Sequence, residues 1–218
     1  MKLAIINGSP RYKNSNSGIL IDQFLKGFPS GSDIVQSYLV GNENRKKAFV
    51  DFVESDTVLL IFPLYTDCMP GIVKEFFEAL VSAEVSKKKR VGFIVQSGFQ
   101  ESIHSEAVER YLEKFTIRLG HIYLGTLIKG GVEGIKIMPP GMTKKLFSQF
   151  EKLGSYFAEF NNFDPQIMKQ FRKPYKFSPL RVFFFKLISK TGLTNFYWNM
   201  NLKKNNAFEQ RFDKPFSN

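Results

Sequence analysis

"KLAIINGSPRYKNSNSG", residues 2–18, joins a short apolar run to a loop that holds one arginine and six Ser or Asn side chains. Leu3 to Ile6 are apolar at every position, as expected of a strand buried on both faces in a parallel sheet covered by helices. The loop behind it leads into a helix beginning near Asn16 or Ser17. Its first N–H groups and positive dipole end suit an anion. Strand, anion-suited loop and helix in that order predict the opening unit of a doubly wound α/β sheet.

The same alternation continues along the chain. "TVLLIF" (57–62) and "RVGFIV" (90–95) repeat the buried-strand pattern, and "DIVQSYLV" (33–40) and "IYLGTLI" (122–128) are weaker versions of it. Between them, apolar residues three and four apart mark helical faces. These are Leu20, Phe24 and Phe28; Phe49, Phe52 and Val53; Val73, Phe76, Phe77 and Leu80; Val108, Tyr111, Leu112 and Phe115; and Leu146, Phe150, Leu153 and Phe157. Strands alternating with helices imply right-handed crossovers and an α/β three-layer sandwich: a five-stranded parallel sheet with helices on both faces.

Ligands of such sheets settle outside the carboxyl ends of the strands, near the point where strand order reverses. In the first loop, Gly8 permits a tight turn, Ser9, Ser15, Asn16 and Ser17 supply short donors, and Arg11 adds a forked cation. This set suits a phosphate monoester. The glycine and lysine spacings of nucleoside-triphosphate and dinucleotide loops are missing. After the third strand comes "FPLYTDCMPGIVKEFFE" (62–78), where Pro63 and Pro70 stiffen the segment holding Leu64 and Tyr65. After the fourth comes "QSGFQES" (96–102), in which Gln96 and Ser97 can bond a heterocycle edge, Gly98 allows close approach and Phe99 offers an aromatic face. A flat aromatic ligand with one terminal phosphate would fill the space these loops enclose.

"GSPR" with "NSNS", then "PLYTDCMPGIVKEFFE" and "QSGFQES", resembles the NAD(P)H-dependent FMN reductase group of the flavodoxin-like superfamily over residues 1 to 160. The resemblance implies strand order 2-1-3-4-5 and non-covalent FMN. It places Ser9, Arg11, Asn16 and Ser17 at the phosphate, Pro63, Leu64 and Tyr65 beside the ribityl chain and ring, and Gln96, Ser97, Gly98 and Phe99 at the ring's far edge. "KGGVEGI" (129–135) is similar to a loop near the flavin in some relatives. Iron–sulfur members carry clustered cysteines, and with Cys68 alone that branch is excluded.

The activity so implied is hydride transfer from NADH or NADPH through FMN to an acceptor such as a quinone, a nitro or azo compound, or free flavin. No acid or base is obligatory and no catalytic residue is assigned. Cys68 is expected to be small and buried, and His104 and His121 to be helix or strand-edge residues rather than proton donors. Two rivals remain: a flavodoxin-like electron carrier, and a non-catalytic binding protein on the same fold. Such carriers are usually acidic, whereas the body here is close to neutral.

The chain has 218 residues and a net charge of +11, of which residues 165–218 contribute +9 from eleven Lys or Arg against two acids. The expected organisation is a flavodoxin-like FMN-binding domain, residues 1–164, followed by a basic, aromatic helical extension, residues 165–218. A single cysteine and two histidines argue against a disulfide framework and a metal site. There is no apolar run of about 18 residues and no secretory signal at the start, so a cytoplasmic protein is expected. In the extension, Leu180, Phe183, Phe184, Leu187 and Ile188 share a helical face opposite Arg181, Lys186, Ser189 and Lys190, with Gly192 suited to the cap. A second segment, "NFYWNMNLKK" (195–204), adds aromatics beside lysines. The extension can pack on the body or on a second subunit of a homodimer, as the resemblance implies, or make a peripheral membrane contact. Nucleic acid is not expected, since only charge and aromatic content would support it.

Overall fold

A computed structural model describes residues 2–83, 85 and 87–214. Its sheet contains β1 (Leu3–Asn7), β2 (Ile34–Tyr38), β3 (Thr57–Pro63), β4 (Arg90–Gln96) and β5 (Ile122–Lys129), all parallel in the order β2-β1-β3-β4-β5. Strand order and layering are those expected. Side chains alternate across each strand, which explains the unbroken apolar runs: both sides are core. On one side, Ala4, Ile6, Val58, Leu60, Phe62, Phe93 and Val95 pack under α2 (Asn42–Glu54), α3 (Gly71–Ser82) and α4 (Glu106–Arg118). On the other, Leu3, Ile5, Leu59, Ile61, Ile94 and Leu127 pack under α1 (Asn16–Leu25) and α5 (Pro140–Phe160).

The core on that second side continues past α5. Asn161 ends the helix in the left-handed conformation, with φ 50°, and Phe163 folds back over Gly92, where a Cβ would stand 2.9 Å from the Phe163 ring. Asp164 then caps α6 (Pro165–Phe171) by accepting from the N–H groups of Gln166 and Ile167. Ile167 and Phe171 of α6 are buried, and Phe171 stacks on Phe150. The first compact unit therefore runs through residue 176, past the composition change at Asp164, and the second begins at Phe177. That second unit contains α7 (Pro179–Ser189) and α8 (Phe196–Lys204).

The amino end of the sheet carries a buried cation. Lys89 is fully buried, and its ammonium donates to the carbonyls of Val53 and Ser55. His121 lies against it, with the Lys89 N–H directed at Nδ1 over 3.5 Å. Burial, and secondarily the Lys89 charge, hold His121 below its ordinary pKa of 6.5. As pH falls through 6.5 the unfolded chain takes up the proton first, so this contribution to stability is present above 6.5 and is lost below it. Urea unfolding is expected to show lower stability at about pH 5 than at about pH 7, with a shallower dependence in His121→Gln. An identical pH dependence in the variant would remove His121 as its source.

Candidate functional site

At the carboxyl end of β1, the buried Asn7 side chain organises the loop. Its Oδ1 accepts from the Ser9 N–H at 2.9 Å, and its Nδ2 donates to Ser15 Oγ at 3.3 Å. Ser15 caps α1 by accepting from the Gly18 N–H, and its own hydroxyl donates to the Tyr12 carbonyl. The loop is therefore pinned at both ends before a ligand arrives, with the first N–H groups of α1 at its inner edge. Gly8 is required here by close approach: a Cβ would lie 2.6 Å from Val73 Cγ2 and 3.1 Å from Phe62 Cβ. Gly18 is similarly confined: a Cβ there would lie 2.7 Å from the Lys13 carbonyl oxygen.

Beyond β3 the ladder continues for one residue, with the Leu64 N–H donating to the Gln96 carbonyl at 2.7 Å. Tyr65 and Cys68 then exchange two backbone hydrogen bonds around Thr66 and Asp67, whose φ angles are 50° and 58°. This is a two-residue hairpin built without glycine. Positive φ at a β-branched threonine is costly, of order 1–3 kcal/mol, and must be imposed by its surroundings. The hairpin leaves Tyr65 on the rim. Cys68 is exposed on it, contrary to the buried role expected, because a turn this tight points outward from the sheet.

The β4 and β5 loops are stitched together. Ser97 N–H donates to the Lys129 carbonyl, Val132 N–H to the Ser97 carbonyl and Gly131 N–H to the Phe99 carbonyl. At Gly130 the backbones are so close that a Cβ would stand 2.4 Å from the Phe99 carbonyl. Asn16 completes the ring of loops: its Nδ2 donates to the carbonyls of Val132 and Glu133.

These loops surround a small cleft lined by Ser9, Arg11, Asn16, Pro63, Leu64, Tyr65, Gln96, Ser97, Gly98 and Glu133. Of the residues that the resemblance places around the flavin, Ser17 and Phe99 stand outside this lining. Ser17 is buried one layer behind, facing the Gln96 amide at 3.5 Å. Phe99 is exposed on the rim against His104, with ring centroids 4.7 Å apart. His104 reaches across to Asp67 of the hairpin at 3.1 Å, so these two loops touch at the mouth.

Glu133 lies within the "KGGVEGI" stretch but was not singled out as a lining residue. Its carboxylate lies 3.8 Å from the Arg11 guanidinium, and both side chains are more than half exposed. Asn7 was missed as well, although an Asn at a strand end with Ser two residues on is a recognisable Asx-turn signal. The donor set fits a flavin mononucleotide in chemical kind: hydroxyl, guanidinium and helix-start N–H groups for a phosphate, apolar Pro63 and Leu64 with Tyr65 for a ring, and Gln96 and Ser97 for a polar ring edge.

A 2-1-3-4-5 parallel sheet with an anion-suited loop at the switch point defines the class of doubly wound α/β proteins that take a ligand at the carboxyl ends of β1, β3 and β4. Within that class the chain belongs to the flavodoxin-like fold family, whose model matches residues 1–142. Solved structures agree at the level of fold. An NADPH-quinone reductase from P. pentosaceus superposes with a TM-score of 0.56 at 18% identity, covering 70% of this chain and 96% of the other. The Trp repressor binding protein from Bacillus subtilis gives 0.52 at 19%, covering 71% and 99%. An NAD(P)H:quinone oxidoreductase from Methanothermobacter marburgensis gives 0.53 at 12%, covering 72% and 96%. No curated protein sequence matches the chain.

Proposed function

We propose that the protein is an FMN-dependent oxidoreductase that passes hydride equivalents from NADH or NADPH to an acceptor such as a quinone, a nitro or azo compound, or free flavin. The observation that carries this reading is the convergence of Ser9, Arg11, Pro63, Leu64, Tyr65, Gln96, Ser97 and Gly98, from three separate loops, on one cleft. That two fold relatives are quinone reductases by name agrees with it.

Bound FMN would supply the hydride-accepting and electron-donating ring. The protein's part is to place it. Ser9, Arg11 and the start of α1 would hold the phosphate, and buried Leu64 would back the ring. Gln96 and Ser97 would meet its polar edge, where negative charge builds on reduction. Tyr65, 42% exposed on the rim, would leave one face open to a nicotinamide and then to the acceptor. The Phe99–His104 contact would screen that mouth from water.

The test is to titrate the purified chain with FMN and then add NADH or NADPH, with and without a quinone. The expected result is saturable flavin uptake, bleaching of its visible absorbance by at least one nucleotide, and turnover when quinone is added. Uptake without reduction by either nucleotide would favour a flavodoxin-like electron carrier. Failure to take up FMN would overturn the reading altogether and favour a non-catalytic binding protein.

A further inference from the structure

Among the described residues from Phe177 onward, large apolar side chains stand exposed instead of packing into a core. No residue of α7 is buried: Leu180, Phe183, Phe184, Leu187 and Ile188 all stand exposed along one face. Val182 and Phe185 are exposed on the other flank, among Arg181, Lys186 and Lys190. In α8, Phe196 and Trp198 are exposed, and Lys203 and Lys204 close the helix. Cation and aromatic lie together repeatedly: Arg181 sits 4.3 Å from the Phe177 ring centroid, and Arg211 sits 4.0 Å from that of Phe208. There is no acidic residue between Asp164 and Glu209.

From this pattern we propose that the unit beginning at Phe177 is a peripheral membrane anchor, with α7 lying in the interface of an anionic phospholipid bilayer. The charge and the shape of the apolar surface choose this occupant. Residues 177–214 carry seven Lys or Arg against Glu209 and Asp213, a net +5. A second copy would bring the same positive unit against it, which like-charge repulsion opposes, whereas anionic head groups complement it. A protein groove takes a single apolar stripe, but here apolar side chains also stand between the lysines. A fluid interface accommodates that arrangement, with rings entering the acyl boundary while Lys and Arg stems extend to the head groups. Trp favours this depth, and Lys reaches the head groups by extending its charged end along an apolar stem. The mode is surface-lying, because α7 has 11 residues where a span needs about 20. Among the described residues no helix is long and apolar enough to cross a membrane.

The experiment is co-sedimentation of the full chain with large vesicles of phosphatidylcholine alone and of phosphatidylcholine mixed with phosphatidylserine. Wild type should sediment with the mixed vesicles, weakly with neutral ones, and less at about 1 M salt, where the Debye length is ~3 Å. Phe183→Ser combined with Phe184→Ser should lower the partition coefficient on the order of tenfold or more, because two aromatic rings leave the interface. Both positions are exposed, so the far-UV circular dichroism and thermal unfolding of the variant should match wild type; that match attributes the loss to the surface. The proposal is overturned by wild type remaining in solution with the mixed vesicles at low salt, or by equal partition of wild type and variant. A stable homodimer that the same substitutions dissociate, without vesicle binding, would assign the face to a second copy instead.

Discussion

Alanine at position 154 is expected to lower the free energy of unfolding by about 3 kcal/mol, the upper part of the usual overpacking range. The reason is a backbone crossing. A Cβ on Gly154 in α5 would stand 1.8 Å from the carbonyl oxygen of Phe24 in α1, and one on Gly27 would stand 2.2 Å from the Glu151 carbonyl. The obstructing atoms are backbone, so no side chain can swing away; one helix must lift. Lifting it disturbs the contact of Phe24 with Phe157, whose ring centroids are 5.7 Å apart in the fully buried layer beneath. Urea unfolding of Gly154→Ala measures the effect. Gly141→Ala is the control, since nothing lies within 4 Å of a Cβ there, and a change of more than about 0.5 kcal/mol at that surface position is not expected. Equal stability of the two variants would contradict the close crossing.

Removing the side chains proposed to hold the phosphate is the second large effect. Ser9→Ala with Arg11→Ala should weaken FMN binding about 100-fold, since each charge-assisted hydrogen bond contributes about 1.5 kcal/mol or more and 1.4 kcal/mol is tenfold. Riboflavin, which lacks the phosphate, should lose little, and fluorescence titration with the two flavins separates the contributions. Glu133→Gln should act in the opposite direction. Its carboxylate shares the Arg11 guanidinium at 3.8 Å, so an incoming phosphate has to compete with it. Parallel losses of FMN and riboflavin in the double variant would point to a collapsed loop rather than a missing phosphate contact.

The fold was legible because its signal is local. Parallel strands with core on both faces must be apolar at successive positions, and the runs at 3–6, 57–62 and 90–95 could hardly be anything else. The cleft was legible for a related reason: a strand's carboxyl end presents its loop residues in chain order. What escaped the sequence depends on contacts between distant segments. Glu133 acquires its importance from Arg11, far away along the chain. The His104–Asp67 pair needs a hairpin at Thr66 and Asp67 whose left-handed backbone is not announced by glycine or asparagine. Residues 165–176 look like the start of the basic tail by composition. They join the body through Ile167 and Phe171, too few apolar positions to outweigh the lysines around them.

That last segment has one more consequence. Arg172 pairs with Glu109 of α4, and the Tyr175 hydroxyl donates to Glu106. The carbonyls of Pro174 and Tyr175 receive the N–H groups of Ser102 and Ile103, directly beside His104. The chain thus leaves the body moored to the segment that carries one lip of the cleft. Residues 172–175 therefore act as a brace inside the first unit, and a substitution that breaks the Arg172 or Tyr175 contact loosens the backbone of Ser102 and Ile103 next to His104.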